Sequence, residues 1–301
     1  MTASPSPSTS PQTDATAPDV ADMRYGPYQR NVLDYWRPRT DGPAPLVINI
    51  HGGGFRAGDK KNISDGLLDT CLDAGFAFAS INYRLSHQAS VPAFMLDGAR
   101  ALQFLRAHAD DLGFDPQRVA LTGASAGAGI SLWVGFHTDL AKPESEDPVD
   151  RQSTSVKCIG IRNGQCSYDP RLLRKLGLGA GVEHGFIEAF YGLKRSQFDT
   201  HEAYVAFESA AAITYVKPGV PPVFSFHHHS LAPVPELPPA DAPDSAAARK
   251  QIIDDAIHHP RLSVHLKEQL DRVGAECVLE AGVKDTPAVI RRMVQFFQRH
   301  L

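Results

Sequence analysis

From residue 24 onward, apolar and polar positions follow two alternating rhythms. Short, unbroken apolar runs recur: LVINI at 46–50, FAFASINY at 76–83, RVALTG at 118–123, VKCIGIRNG at 156–164, PPVFSFH at 221–227 and AECVLEA at 275–281. Runs of this length, rich in Val, Ile and Phe, predict strands buried on both faces. Between them the apolar residues fall at helical spacing. In 92–113, Met95, Ala99, Leu102, Leu105 and Ala109 share one face, and the pattern stops at Gly113. The segments 64–75, 125–137, 259–274 and 286–301 also read as helices. Repeated strand–helix alternation predicts an α/β fold, with a mainly parallel sheet covered on both faces.

Three stretches break this rhythm. Residues 170–216 carry helical patches between two sheet strands, and an insertion there is expected to cover the C-terminal edge of the sheet, where open α/β folds bind ligands. Residues 230–250 (SLAPVPELPPADAPDSAAARK) read as a mobile loop. Residues 1–22 are rich in Ser, Thr, Pro and Ala, with neither a basic start nor an apolar core of a secretory signal, and are expected to be disordered. The domain is thus expected over 23–301.

The 34 acidic and 30 basic residues give a net charge of −4, and no basic patch points to nucleic acid. No run of about 18 apolar residues predicts a membrane span. Cys71, Cys158, Cys166 and Cys277 match no zinc spacing and read as buried thiols, which fits a cytoplasmic setting. No cofactor is expected, and nothing in the pattern speaks to oligomeric state.

Two glycine-rich stretches carry the chemistry. In TGASAGAG (122–129), Ser125 lies between Gly123 and Gly127, with a strand before it and a helix after it. That is the strand–turn–helix setting of a nucleophile elbow, which leaves the hydroxyl exposed at a helix N-terminus. In IHGGGF (50–55), three glycines after a strand let backbone N–H groups approach a substrate carbonyl, with a further donor from Ala126. His51 reads as a residue that orients this loop.

HGGGF, NYRL at 82–85 and GASAG, each after a successive strand, resemble the α/β-hydrolases of the hormone-sensitive-lipase-like and bacterial carboxylesterase group. So do YGPYQRNVLDYWRP at 25–38, SYDP at 167–170 and the closing strand and helix. The resemblance implies an α/β-hydrolase fold with an eight-stranded, mostly parallel sheet. It implies a small-molecule ester as substrate, Ser125 as nucleophile, and Gly53, Gly54 and Ala126 as oxyanion donors.

The group also has an acid after the strand at 221–227 and a histidine after the last strand. Here the loop after the last strand, LEAGVKDTPAVI (279–290), holds no histidine, and HHHSLAPVP follows PPVFSF where the acid is expected. Of 13 histidines, most fall on helices, in the insertion or at the terminus. His184-Gly185-Phe186 mimics the group's terminal motif but lies in the insertion and reads as coincidence. His258 and His259 read as structural or capping residues at a helix start. His227, His228 and His229 remain, at a strand end. They read first as a chemically idle replacement of the lost loop, second as a source of a substitute base, with His228 as candidate, and last as a metal site. For the acid, Asp169 in SYDP is the candidate, against its reading as a turn residue before Pro170. Three functions stay open: a serine esterase, a catalytically impaired ligand-binding or regulatory module, and a metal-dependent activity on the histidine triplet.

Overall fold

The computed structural model describes residues 16–243 and 245–301. Its elements run β1 (Val20–Arg24), β2 (Val32–Trp36), β3 (Ala44–Ile50), α1 (Leu67–Asp73), β4 (Ala77–Ile81), α2 (Ala93–Ala107), α3 (Ala109–Leu112), β5 (Phe114–Ala124), α4 (Ala126–Phe136) and β6 (Cys158–Arg162). They continue with α5 (Pro170–Lys175), α6 (Ile187–Tyr191), α7 (His201–Ala210), β7 (Val223–Phe226), α8 (Ser245–Ile257), α9 (Arg261–Arg272), β8 (Cys277–Glu280) and α10 (Thr286–His300).

The eight strands form one sheet in the order β1-β2-β4-β3-β5-β6-β7-β8. β1 and β2 pair antiparallel, β2 meets β4 antiparallel, and every later pair is parallel. Both faces of the inner strands β3, β4, β6 and β7 are dry, which explains the unbroken apolar strand runs. Along β3, Leu46, Ile48 and Ile50 enter a core shared with α2, α4 and α9, whereas Val47 faces the core under α1 and α10. Alternation of side chains along a strand splits one run between two cores. All four cysteines are buried and unpaired.

Two expectations need correction. Residues 1–15 of the expected disordered tail lie outside the described residues, but 16–22 are part of the fold. The Trp36 indole N–H donates to the Thr16 carbonyl, Arg37 N–H donates to Asp19, and Asp22 N–H donates to Asp34 Oδ1. A polar segment needs little buried apolar area when an edge strand takes its backbone hydrogen bonds. The expected loop at 230–250 is irregular only to residue 243, and α8 begins at Ser245. The Ala-rich SAAARKQIIDDAI favours a helix once the prolines end. The insertion after β6 is helical as expected, carrying α5, α6 and α7.

The loop that follows β3 is anchored by one buried ion pair. Lys60 Nζ reaches both carboxylate oxygens of Asp34 at 2.6 Å, and each side chain is 5% exposed. Lys60 N–H also donates to Asn82 Oδ1, and its carbonyl accepts from Ser80 Oγ. Removing one partner of a buried pair strands the other charge. Asp34→Ala, leaving Lys60 only the exposed Asp22 at 3.1 Å, is expected to cost about 3 kcal/mol, read as a lowered urea midpoint.

Candidate active site

β5 ends at Ala124 and α4 begins at Ala126, so Ser125 alone makes the turn between them. Its backbone sits at φ 50°, ψ −118°, a left-handed conformation that a non-glycine residue adopts only under constraint. The constraint is steric. A Cβ on Gly127 would lie 1.9 Å from the Ile50 carbonyl oxygen, and one on Gly123 would lie 2.5 Å from the Gly127 backbone. Helix and strand meet backbone to backbone, and only glycine fits. Ser125 N–H donates to the Arg162 carbonyl at 3.0 Å, tying the turn to β6.

The loop after β3 lies beside this turn. Gly53 and Gly54 have φ of 113° and 58°, and a Cβ on Gly53 would strike the Ala57 carbonyl at 2.1 Å. Among the described residues, the N–H groups of Gly53, Gly54 and Ala126 donate to no protein acceptor. His51 supports the loop from behind. Its Nδ1 donates to the Gly52 carbonyl at 2.7 Å, its Nε2 accepts from Arg30, and its ring stacks on Tyr83. Burial pulls its pKa down to about 4, so it stays neutral.

The residue facing Ser125 is His258. Its Nε2 is 2.9 Å from Ser125 Oγ. Its Nδ1 lies 3.0 Å from the Asp254 carbonyl and 3.2 Å from Asp254 Oδ1. Both of these only accept, so the proton is on Nδ1 and the Nε2 lone pair faces the serine hydroxyl. An imidazole in this tautomer can take the hydroxyl proton. Asp254 lies one turn earlier on α8. Its hydrogen bond to His258 is the main reason its carboxyl titrates below the usual range.

Several bonds hold His258 in place. Gln165 Nε2 donates to the Ile257 carbonyl at the end of α8. His227 Nδ1 donates to the His258 carbonyl, and His227 Nε2 accepts from Ser263 Oγ, which in turn pairs with Ser225. His259 Nε2 donates to the Ala232 carbonyl. His227 is buried and its pKa falls to about 3 by desolvation.

The two candidates named for base and acid stand elsewhere. His228 is exposed, and its Nδ1 faces the Val283 carbonyl at 3.2 Å. Side chains alternate at the strand end, so His227 points inward where His228 points out. Asp169 caps α5, accepting from Arg171 N–H and pairing with the Arg171 guanidinium at 2.7 Å. It is a helix cap, with no histidine among its partners. His258 does not start a helix. It ends α8 and points back along it. Asp254 and His258, four residues apart, share one helix face, and that spacing was the available signal. It passes unnoticed when a base is sought only after strands.

Ser125, Ala126, Tyr168, Phe186, Ile257 and His258 are among the walls of a cavity of about 520 Å³. The insertion supplies Phe186 and also His184 to this wall. His229, Asp254 and His258 each offer a ligand atom within 4.8 Å of the others, a spacing that a divalent cation can bridge. Among the described residues, no helix is long and apolar enough to cross a membrane.

The family model described as BD-FAE matches residues 33–236. That span contains Ser125 and the glycine loop and stops short of α8. Among curated proteins, the probable carboxylic ester hydrolase LipM of Mycobacterium tuberculosis is 29% identical over 71% of this chain and 48% of its own length. Esterase LipQ of the same organism is 28% identical over 73% of this chain and 50% of its own length. The chain thus spans about half the length of these relatives. A truncated carbohydrate esterase from gut microbiota superposes with a TM-score of 0.70 at 20% identity, over 97% of this chain and 99% of that one. A bacterial heroin esterase does so at 0.64 and 20%, over 89% of this chain and 79% of that one. These two likenesses show the fold.

The backbone contact at the turn generates a direct test. Gly127→Ala forces a methyl into the Ile50 carbonyl. It is expected to destabilise the fold by about 1–3 kcal/mol or more, measured by thermal or urea unfolding.

Proposed function

We propose, for a chain that belongs to the BD-FAE family and has the α/β-hydrolase fold, that it is a serine carboxylesterase acting on small acyl esters through Ser125, His258 and Asp254. The observation that carries the reading is the 2.9 Å contact between Ser125 Oγ and His258 Nε2, with two acceptors of Asp254 beside the far nitrogen. The curated relatives, named as ester hydrolases, support the reaction class.

Ser125 Oγ attacks the ester carbonyl carbon while its proton passes to His258 Nε2. The carbonyl oxygen becomes an oxyanion facing the free N–H groups of Gly53, Gly54 and Ala126, each such donor being worth about 3–4 kcal/mol in the transition state. Asp254 stabilises the imidazolium. The carbon–oxygen bond to the alcohol then breaks, and His258 returns its proton to the leaving oxygen. Water repeats the sequence on the acyl-enzyme, with His258 as base, and releases the acid. The placement of His258 beside Ser125 supports a working relay over the reading as an impaired binding module. The four unpaired, buried cysteines support a reducing compartment for the enzyme.

The test is hydrolysis of 4-nitrophenyl acetate and butyrate. Ser125→Ala and His258→Ala are each expected to lower kcat on the order of 10⁶-fold, as when a triad member is lost. Asp254→Asn is expected to cost roughly 10- to 100-fold, because the Asp254 carbonyl still holds Nδ1. His228→Ala is expected to leave the rate in place, and so is a chelator. Equal slow rates for wild type and His258→Ala refute the assignment, and loss of rate with the chelator favours a metal-dependent reaction.

A further inference from the structure

Ser125 and Gly53 border a second cavity of about 320 Å³, on the side away from His258. Its lining includes His51, Asn62, Ser64, Arg162 and Asn163, and contains no carboxylate. The tetrahedral intermediate gives this space a role. Its carbon is bonded to Ser125 Oγ. Its oxyanion faces Gly53, Gly54 and Ala126. Its leaving oxygen must lie within reach of His258 Nε2, so the alcohol extends into the larger cavity that His258 lines. The second cavity, which Ser125 and Gly53 also line, is the space this leaves for the fourth substituent, the acyl chain.

Arg162 is the distinctive group there. It ends β6, next to the nucleophile, and is partly buried. The other buried or partly buried arginines are engaged. Arg84 pairs with Asp97, Arg100 with Asp147 and Asp150, Arg106 with backbone carbonyls, and Arg171 with Asp169. Among the described residues, the Arg162 guanidinium has no hydrogen-bond acceptor and no carboxylate within 4.0 Å. Among the described residues, the carboxylate whose charge reaches it is Asp65, which is exposed. Partial burial of such a cation without a close counter-charge carries part of the cost of burying a charge unpaired. The neighbouring polar groups leave donors facing the same space. Asn62 Oδ1 is taken by Asp59 N–H and Asn163 Oδ1 by His228 N–H, so each has its amide NH₂ to offer.

We propose that this cavity is the acyl subsite, and that Arg162 binds a carboxylate at the far end of the acyl chain. The preferred substrates are then monoesters of short dicarboxylic acids. A guanidinium presents two parallel donors that match a carboxylate. This inference rests on the hydrolytic reading of Ser125, and its test separates the two.

The probe pair is 4-nitrophenyl hydrogen succinate and 4-nitrophenyl pentanoate, which differ chiefly by the terminal charge. Wild type is expected to favour the succinate in kcat/KM. Arg162→Gln is expected to lower the succinate-to-pentanoate ratio by about 10- to 100-fold, with Arg162→Lys intermediate. Free succinate is expected to raise the melting temperature of Ser125→Ala, and not of Ser125→Ala combined with Arg162→Gln. Turnover of the neutral ester with a ratio unmoved by Arg162→Gln overturns the subsite and keeps the esterase. Arg162-dependent succinate binding without turnover of either ester overturns the esterase and keeps the carboxylate site.

Discussion

Everything at this site depends on how closely α4 crosses the end of β3. No Cβ fits between Gly127 and the Ile50 carbonyl, or between Gly123 and the first turn of α4. That contact forces Ser125 into positive φ and lifts its hydroxyl out of the sheet edge. It also sets the Ala126 N–H beside the glycine loop, because β3 runs directly into that loop. One backbone approach therefore fixes the proposed nucleophile and the proposed oxyanion donors together. Dense packing at this contact leaves little room for either to drift.

The proposed proton relay is built on a different principle. Acid and base share one helical turn, four residues apart, rather than standing on two loops after two strands. Their mutual geometry follows from the helix itself, with the Asp254 carbonyl and carboxylate both facing Nδ1. What tertiary structure must supply is only the approach of the helix end to Ser125. Gln165, His227 and Ala232 supply it by holding three successive residues, Ile257, His258 and His259.

Much of the fold was legible because the inner strands β3 to β7 are buried on both faces, and apolar runs mark such strands plainly. The turn at Ser125 and the glycine loop were legible for a related reason: their steric demands allow few residue types, so the sequence must show them. His258, the proposed base, was not. Its one local sign is an aspartate four residues earlier, which many helices carry, and its partner across 133 residues is set by packing. Arg162 was equally silent, since a strand-end arginine reads the same with or without a counter-ion. The edge strand β1 escaped because backbone hydrogen bonds, unlike apolar burial, leave no mark on composition.

The two flanks of the site each lean on a histidine kept neutral by burial, His51 under the glycine loop and His227 behind the base. Their pKa values fall to about 4 and about 3, whereas an unfolded histidine titrates near 6.5. Below about 6.5, then, the unfolded chain takes up protons that the folded chain refuses. Each histidine withdraws up to about 1.4 kcal/mol of stability per pH unit over that interval. For His51 the withdrawal stops near pH 4, and for His227 near pH 3. The proton linkage of these two supports makes acidification a global stress on the molecule well before either imidazole is protonated in place.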